Sequence, residues 1–306
     1  MNSIIVICGP TGIGKTSFAI RLAKQFNAEI VGADSMQIYK YMDIGTAKPS
    51  CEELSQVPHH LVDFVEPDEE FDAGRYMALA DEAIKQISEQ KKNVIVAGGT
   101  GFYIKALLYG LFRTSGVCQD TIEALTCELE EKGSRYLHER LALCDPEAAR
   151  KIHPNDSFRV IRALEVFETT GRKISDRQHS HNFKKKRYEF LKIGLYMDRQ
   201  DLYSRINKRV DMMLDQGLLQ EVAGLIEKGY PLSLKSMQSI GYRHMGMFIE
   251  NRVDWQEAVR LLKRDTRRYA KRQFTWFRRD DQIHWLLPSQ ILQAQELVKK
   301  FLDNGA

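Results

Sequence analysis

Long apolar runs are missing from this 306-residue chain, and its cysteines are few and unpaired. The longest apolar stretches, such as residues 94–97 and 190–197, are far too short for a helix that crosses a bilayer, which needs about 20 apolar residues. The five cysteines are odd in number and form no C-x-x-C pair, which argues against a disulfide framework and a zinc site. We therefore predict a cytoplasmic protein without a membrane span, whose thiols are buried.

Internal repeats and low-complexity segments are also missing, so no solenoid or disordered array is expected. Hydrophobic residues make up 43% of the chain and charged residues 28%, which is typical of a globular protein. The length exceeds that of one ordinary hydrophobic core. A main domain with a second, smaller domain or an insertion is the expected organisation.

Residues 9–16 fit the pattern G-x-x-x-x-G-K-[ST], between an apolar run at 4–8 and a helical pattern at 17–25. In such a loop the backbone N–H groups converge on a phosphate, Lys15 adds a positive charge and the Thr16 hydroxyl can bind Mg²⁺. The pattern predicts a di- or triphosphate site, but leaves open which compound binds and whether a phosphoryl group moves. The predicted phosphate-binding residues are Gly9, Thr11, Gly12, Ile13, Gly14, Lys15 and Thr16.

Further strands are predicted at residues 29–32, 60–65 and 94–97, and a helix capped by Asp72 lies before the last of them. Strands that alternate with helices predict an α/β fold with a parallel sheet, whose ligands bind at the carboxyl ends of the strands. Asp34 and Thr100 both follow directly after strands. We therefore expect them at the same edge of the sheet as Lys15.

The position of Asp34 alone leaves two interpretations open. It suits a general base for a nucleophile that approaches the bound phosphate ester, but it also suits a Mg²⁺ ligand in the second shell. The segment Gly98-Gly99-Thr100-Gly101 is similarly ambiguous. It could bring a hydroxyl close to a ligand, or simply form a tight turn from strand to helix.

The pattern changes to helices without strands from about residue 115. Helices are predicted at 121–132, 134–144, 146–152 and 156–170, and strand character returns at 190–197. We therefore predict a helical insertion at residues 115–188 in an α/β core formed by 1–114 and 189–306. Beyond the insertion, helices are predicted at 201–216, 218–228, 255–277 and 289–301, with a final strand at 282–287.

The positive charge of the chain is concentrated near its carboxyl end. Between Arg260 and Arg279 there are nine Lys or Arg residues against Asp265 alone, a local charge of +8, so the rest of the chain carries −4 of the overall +4. Aromatic residues alternate with these cations, a combination that suits single-stranded or looped nucleic acid. The aromatic side chains could instead belong to the core.

Taken together, these motifs resemble those of the bacterial tRNA dimethylallyltransferases, also called tRNA isopentenyltransferases. The supporting segments occur in the family's order, at residues 9–16, 34–39 (D-S-M-Q-I-Y), 45–49 (G-T-A-K-P), 98–103, 159–165, 240–243 (I-G-Y-R) and 269–279. The resemblance implies a P-loop NTPase-like parallel sheet flanked by helices, with a small all-helical insertion that clamps tRNA. It implies transfer of a dimethylallyl group from dimethylallyl diphosphate to N6 of adenosine 37, in tRNAs that read codons starting with U.

The resemblance also assigns functions to individual residues. Asp34 would accept the N6 proton, Thr100 would bond near the reacting centre, Arg209 would join the diphosphate site and Mg²⁺ would bind at Thr16. Phe158 stands where many relatives have glutamine, and could stack on a base or pack. Contacts with tRNA are implied for Asp34, Ser35, Met36, Gln37, Thr100, Phe158, Arg159, Arg162, Gly241, Tyr242, Arg243, Lys271, Arg272, Gln273, Trp276 and Arg278.

The implied RNA partner is an anticodon stem-loop with adenosine at positions 36, 37 and 38, bound by a monomer that flips the target base out of its stack. Three other functions remain open. An adenylate isopentenyltransferase would prenylate free AMP, ADP or ATP, and would have little use for the +8 segment or a helical clamp. The others are a P-loop small-molecule kinase and a nucleotide-switched RNA-binding protein, whose RNA affinity would depend on ATP or GTP.

Overall fold

The computed structural model of the chain describes residues 3–111, 118–181 and 185–304. Its centre is a six-stranded sheet with the strand order β3-β2-β4-β1-β5-β6, in which neighbouring strands pair in parallel. The strands are β1 Ser3–Cys8, β2 Ala28–Gly32, β3 His59–His60, β4 Asn93–Gly98, β5 Glu189–Leu195 and β6 Ile283–Leu286. The predicted parallel α/β sheet is thus confirmed.

Helices flank the sheet, pack in a second apolar core or form the inserted unit. In chain order they are α1 Lys15–Gln25, α2 Cys51–Gln56, α3 Ala73–Glu89, α4 Gly101–Tyr109, α5 Gln119–Cys144, α6 Pro146–Lys151, α7 Ser157–Thr170, α8 Ile174–His181, α9 Arg199–Asp215, α10 Leu218–Glu227, α11 Tyr242–Ile249, α12 Trp255–Phe277 and α13 Ile291–Asp303. Within the described ranges, no helix is both long and apolar enough to span a bilayer. The side chain of Asp72 caps α3 as predicted, by accepting from the backbone N–H of Arg75.

The central strands are almost wholly buried, as expected for a parallel sheet with helices packed on both faces. Residues 4–8 of β1 are all buried, as is every residue of β2. Phe18 and Leu22 of α1 pack against this sheet in the same core as Ile193 of β5. The core therefore holds the start of α1 rigidly beyond the carboxyl end of β1.

The third strand is much shorter than the prediction for residues 60–65. Only His59 and His60 pair with β2. Leu61 and Asp63 both have a φ of 59°, a left-handed conformation that cannot continue a strand. The apolar pattern of this segment comes instead from side chains such as Val65, which is buried in the core of α10–α12.

The inserted unit comprises residues Gly110–Lys185, and the first unit comprises Met1–Tyr109 and Lys186–Ala306. The predicted insertion, 115–188, covers nearly the same part of the chain. The insertion has its own apolar core, which includes Leu137, Leu141 and Leu164. Gly133, with a φ of 82°, interrupts α5 where the sequence predicts a break between two helices.

Candidate active site

The segment between β1 and α1 forms a phosphate-binding loop at the carboxyl edge of the sheet. Gly12 and Gly14 have φ values of 79° and 99°, which other residues adopt at a cost, and Gly14 is the N-cap of α1. These conformations turn the chain sharply from the strand into the helix. The unpaired N–H groups of the first turn of α1 and its dipole then favour an anion at this position.

Lys15 is held inside this loop. Its Nζ donates to the carbonyl of Pro10 at 2.9 Å. Burial lowers the pKa of Lys15 from 10.5 to about 8; the carboxylate of Asp34 opposes this shift, and the guanidinium of Arg209 adds to it. An anionic ligand would stabilise the charged form, so the ammonium group is suited to leave the carbonyl for a diphosphate oxygen.

Asp34 and Thr100 lie side by side because β2 and β4 are neighbours in the sheet. The Thr100 Oγ1 accepts from the backbone N–H of Ser35 at 3.0 Å, and the Asp34 Oδ1 accepts from the N–H of Met36 at 2.9 Å. A Cβ at Gly98 would stand only 2.0 Å from the carbonyl oxygen of Ala33, so this close approach requires glycine. The ambiguous glycine segment therefore both forms a tight turn and brings the Thr100 hydroxyl to Ser35.

One cavity of about 300 Å³ is lined by nine of the predicted site residues. Arg209, on α9, lines this cavity. Burial lowers the pKa of its guanidinium. The predicted residues that line the cavity are Thr11, Gly12, Asp34, Ser35, Met36, Arg209, Gly241, Arg243 and Arg272. The phosphate-binding loop, the candidate base and part of the basic helix α12 thus face the same space.

Gln273 is buried, in contrast to the predicted direct contact with tRNA. Its Nε2 donates to the carbonyl of Gly99 at 2.9 Å, and its Oε1 accepts from the backbone N–H of Thr11 at 2.8 Å. Gln273 therefore ties α12 to the phosphate-binding loop and to the glycine turn. The N–H of Thr11, a predicted phosphate contact, is already committed to this bond.

Tyr242 also differs from its predicted contact with tRNA, because its side chain is fully buried. Its hydroxyl donates to Glu221 at 2.6 Å. Burial and the neighbouring carboxylate raise the pKa of Tyr242 well above its usual range, so the hydroxyl stays protonated. The predicted neighbours Gly241 and Arg243 do line the cavity, so Tyr242 is the residue of the I-G-Y-R motif that lies in the core.

The nine Lys and Arg residues between positions 260 and 279, in α12 and directly beyond it, fall into two groups. Four of them contact acidic side chains, as Lys263 does with Asp211 at 2.5 Å, and a fifth, Arg267, donates to Asn207. Among the described residues, the remaining four form no ion pair, and all four are exposed. These four residues, which we call the open cations, are Lys271, Arg272, Arg278 and Arg279. Trp276 lies among them and is 42% exposed.

The three predicted tRNA contacts of the inserted unit all lie in α7. Phe158 is 73% exposed at the start of α7, so it does not pack in the core of its unit. Arg159 pairs with Asp156 at 3.1 Å, and Arg162 pairs with the buried Glu165. An exposed aromatic ring beside Arg159 offers a surface on which a base could stack.

Several cavity residues were not predicted from the sequence. Tyr269 is one of them, and burial raises the pKa of its hydroxyl, with a further contribution from Asp34. Thr46 is another. Thr46 belongs to the G-T-A-K-P motif, which supported the resemblance but carried no physical reason for a site. The sequence signal that could have indicated Tyr269 is its position within the cation-rich segment 260–279.

The fold and the site together define a class of protein. A glycine-rich loop, the half-buried Arg209 and Asp34 converge at the carboxyl edge of a parallel sheet. This is a P-loop NTPase-like protein in which the phosphate-binding loop adjoins the cavity.

Comparison with known proteins identifies the family. A family profile described as "IPP transferase" matches residues 37–280. The chain is 52% identical to a tRNA dimethylallyltransferase of Desulfosudis oleivorans over 303 residues, which cover 99% of this chain and 96% of the relative. It is 48% identical to one of Acetivibrio thermocellus, over 98% and 96% of the two chains. The chain belongs to this family of prenyltransferases.

Solved structures agree with this assignment. The full-length tRNA isopentenylpyrophosphate transferase of Bacillus halodurans superposes with a TM-score of 0.75 at 37% identity, covering 99% of this chain and 98% of the other. A eukaryotic dimethylallyltransferase acting on tRNA gives a TM-score of 0.85 at 30% identity, covering 99% of this chain and 80% of the other. The predicted fold class and family are thereby confirmed.

Proposed function

We propose that the chain transfers a dimethylallyl group from dimethylallyl diphosphate to N6 of adenosine 37 in tRNAs that read codons starting with U. The product is N6-isopentenyladenosine. The observation that carries the proposal is the single cavity that Thr11, Gly12, Arg209 and Asp34 line together. It offers an anion site and a proton acceptor within one space, as alkylation with a diphosphate leaving group requires.

The exocyclic amine of adenine is a poor nucleophile, so the bond between the allylic C1 and oxygen must be largely broken in the transition state. Stabilising the departing diphosphate is then the main electrostatic task. The N–H groups of the phosphate-binding loop, Lys15 and Arg209 would take up its charge. As N6 forms its bond to C1, Asp34 would accept the proton that N6 loses.

Magnesium fits this site as an additional source of positive charge. Thr16 is the second residue of α1, directly after Lys15, and is partly exposed; its hydroxyl is an oxygen ligand of the kind that Mg²⁺ prefers. Mg²⁺ bound there would neutralise part of the diphosphate charge. In this proposal Asp34 is the general base that accepts the N6 proton, and it is not a ligand of Mg²⁺.

The RNA substrate would be an anticodon stem-loop with adenosine at positions 36, 37 and 38. A stacked base cannot enter the cavity, so adenosine 37 would be flipped out at a cost of a few kcal/mol. The open cations would hold the RNA backbone. With Phe158 and Arg159 exposed on its surface, the inserted unit would clamp the stem-loop. We propose that the enzyme acts as a cytoplasmic monomer.

The test is incubation with Mg²⁺, dimethylallyl diphosphate and this stem-loop, followed by digestion and mass spectrometry of the nucleosides. Free AMP and ATP are run in parallel. Isopentenyladenosine from position 37 of the RNA alone is the expected result. Product on free nucleotides but not on RNA would make the chain an adenylate isopentenyltransferase, and the absence of any prenylated product would overturn the proposal.

A further inference from the structure

Three successive backbone N–H groups converge on one carboxylate beside the cavity. Asp43 and Ile44 donate to Glu221 Oε2 at 2.9 and 2.8 Å, and Gly45 donates to Glu221 Oε1 at 3.0 Å. Glu221 lies in α10, far along the chain. Hydrogen bonds to a charged acceptor are stronger than neutral ones, so this carboxylate holds the loop firmly.

The same carboxylate is held by Tyr242. The Tyr242 hydroxyl donates to Glu221 Oε1 at 2.6 Å. Its ring lies so close to Gly45 that a Cβ there would be 2.4 Å from Cε2. The backbone of Gly45 is therefore fixed between a carboxylate and an aromatic ring, and its conformation cannot drift without breaking these contacts.

The far side of this loop fixes the amide of Gln37. Gln37 Nε2 donates to the carbonyls of Thr46 and Ala47 at 3.2 and 2.9 Å. Because carbonyl oxygens only accept hydrogen bonds, the Nε2 of Gln37 must face the loop. The Oε1 of Gln37 then remains available to accept a hydrogen bond from another group. Gly45 and Thr46 line the cavity together with Met36, the residue before Gln37.

We propose that Glu221 is a positioning residue for the nucleotide that enters the cavity. It orders residues 43–47 as a wall of the cavity and, through the carbonyls of Thr46 and Ala47, sets the orientation of the Gln37 amide. Within the described part of the chain, Glu221 does not itself line the cavity, so it acts through the loop. The inference deepens the proposed function and rests on it.

The variant Glu221→Gln tests the inference. Glutamine keeps the shape of the side chain but turns one of the two oxygens into a donor that faces a backbone N–H. We expect KM for the stem-loop to rise at least about tenfold, kcat to change less than about threefold, and KM for dimethylallyl diphosphate to stay within about twofold. A loss of folding alone would not separate the two KM values in this way.

Glu66→Gln is the matched control. Glu66 also accepts from a tyrosine hydroxyl, that of Tyr230 at 2.9 Å, and from Lys40 at 2.7 Å, and it does not line the described cavity. All three kinetic constants should stay at their wild-type values. Should Glu221→Gln fail to fold, Tyr242→Phe removes one donor to the same carboxylate and should raise KM for the RNA in the same direction, by less.

Hydrogen exchange gives a readout independent of activity. The amide protons of Asp43, Ile44 and Gly45 should exchange faster in Glu221→Gln and not in Glu66→Gln. If the wild-type enzyme modifies the RNA while Glu221→Gln leaves KM for the RNA unchanged, or raises both KM values equally, the inference is wrong. If the wild-type enzyme makes no product on RNA, the proposed function has failed first, and the two failures are distinguished.

Discussion

At the scale of single residues, the chemistry depends on how Asp34 is held. One oxygen of its carboxylate accepts from the N–H of Met36, which leaves the other to receive the N6 proton. Asp34→Asn keeps the first bond and the shape, but the amide cannot take up a proton. We expect kcat to fall by about 10²- to 10⁴-fold, the usual contribution of a general base.

Single-turnover kinetics and filter binding with the stem-loop would separate the two effects. RNA affinity should change less than about threefold, because the asparagine still accepts from Met36. An equal loss of turnover and RNA affinity would mean that Asp34 binds the substrate and is not the base.

The pKa of Lys15 gives a second prediction at this scale. Because burial lowers this pKa to about 8, the free protein loses the Lys15 proton as the pH rises through that value. The unfolded chain keeps its proton up to about 10.5, so this group's contribution to stability rises with pH between the two values. A bound diphosphate favours the charged form and should reverse the shift.

Calorimetric titration with inorganic diphosphate, in buffers of different ionisation enthalpy, measures this effect. Above about pH 8, binding should be accompanied by uptake of a proton by the protein. Lys15→Met should abolish the uptake that is due to the protein and weaken binding. Equal proton uptake by the variant would assign the proton to the ligand or to another group.

At the scale of elements, α12 can pack closely against the turn after β4 because the glycines of that turn have no side chains. A Cβ at Gly99 would lie 2.3 Å from Gln273 Nε2, and one at Gly101 would lie 2.1 Å from Trp276 Nε1. The turn after β4 and the last turns of α12 therefore interlock. Gln273 also accepts a hydrogen bond from Thr11. The end of α12, with its open cations, is therefore held at a fixed distance from the phosphate-binding loop.

Gly101→Ala should push Trp276 away and lower the free energy of unfolding by about 1–3 kcal/mol, the usual cost of overpacking. The matched control is Gly224→Ala in α10, where nothing lies within 4 Å of the added Cβ. It should stabilise the protein by up to about 1 kcal/mol, because alanine favours a helix more than glycine does. Urea denaturation of both variants checks the difference.

The double variant with Trp276→Ala tests the cause. If the clash with the indole is responsible, Trp276→Ala should make the Gly101→Ala change nearly neutral. An unchanged cost in the double variant would place the strain elsewhere in the turn.

What the sequence predicts well at this scale is local, and what it misses is tertiary. The phosphate-binding loop and the bounds of α12 follow from spacing and periodicity over neighbouring residues. The strand at 60–65 failed because the backbone of Leu61 and Asp63 turns, which apolar composition does not reveal. Burial of Gln273 and Tyr242 depends on partners more than 20 residues away, and no local pattern singled out Glu221.

At the scale of the whole molecule, the local charge of +8 near the carboxyl end overstates what an RNA would meet. Acidic partners such as Asp211 and Glu257 already neutralise part of it. The open cations lie at the end of α12 and directly beyond it, and Arg272 among them lines the cavity. Long-range attraction to RNA should therefore come from the end of this helix and not from its whole length.

Salt dependence of RNA binding tests this division of charge. For single strands, log K falls with log salt by about 0.7 for each phosphate that the protein neutralises, so removing one contacting cation should flatten the slope by about that amount. Lys271→Ala and Arg279→Ala should each do so in titrations from about 50 to about 200 mM salt. Lys263→Ala, whose ammonium is paired with Asp211 at 2.5 Å, should leave the slope unchanged. If instead all three variants flatten it equally, the ion pairs of α12 open when RNA binds, and the full charge of the helix contributes.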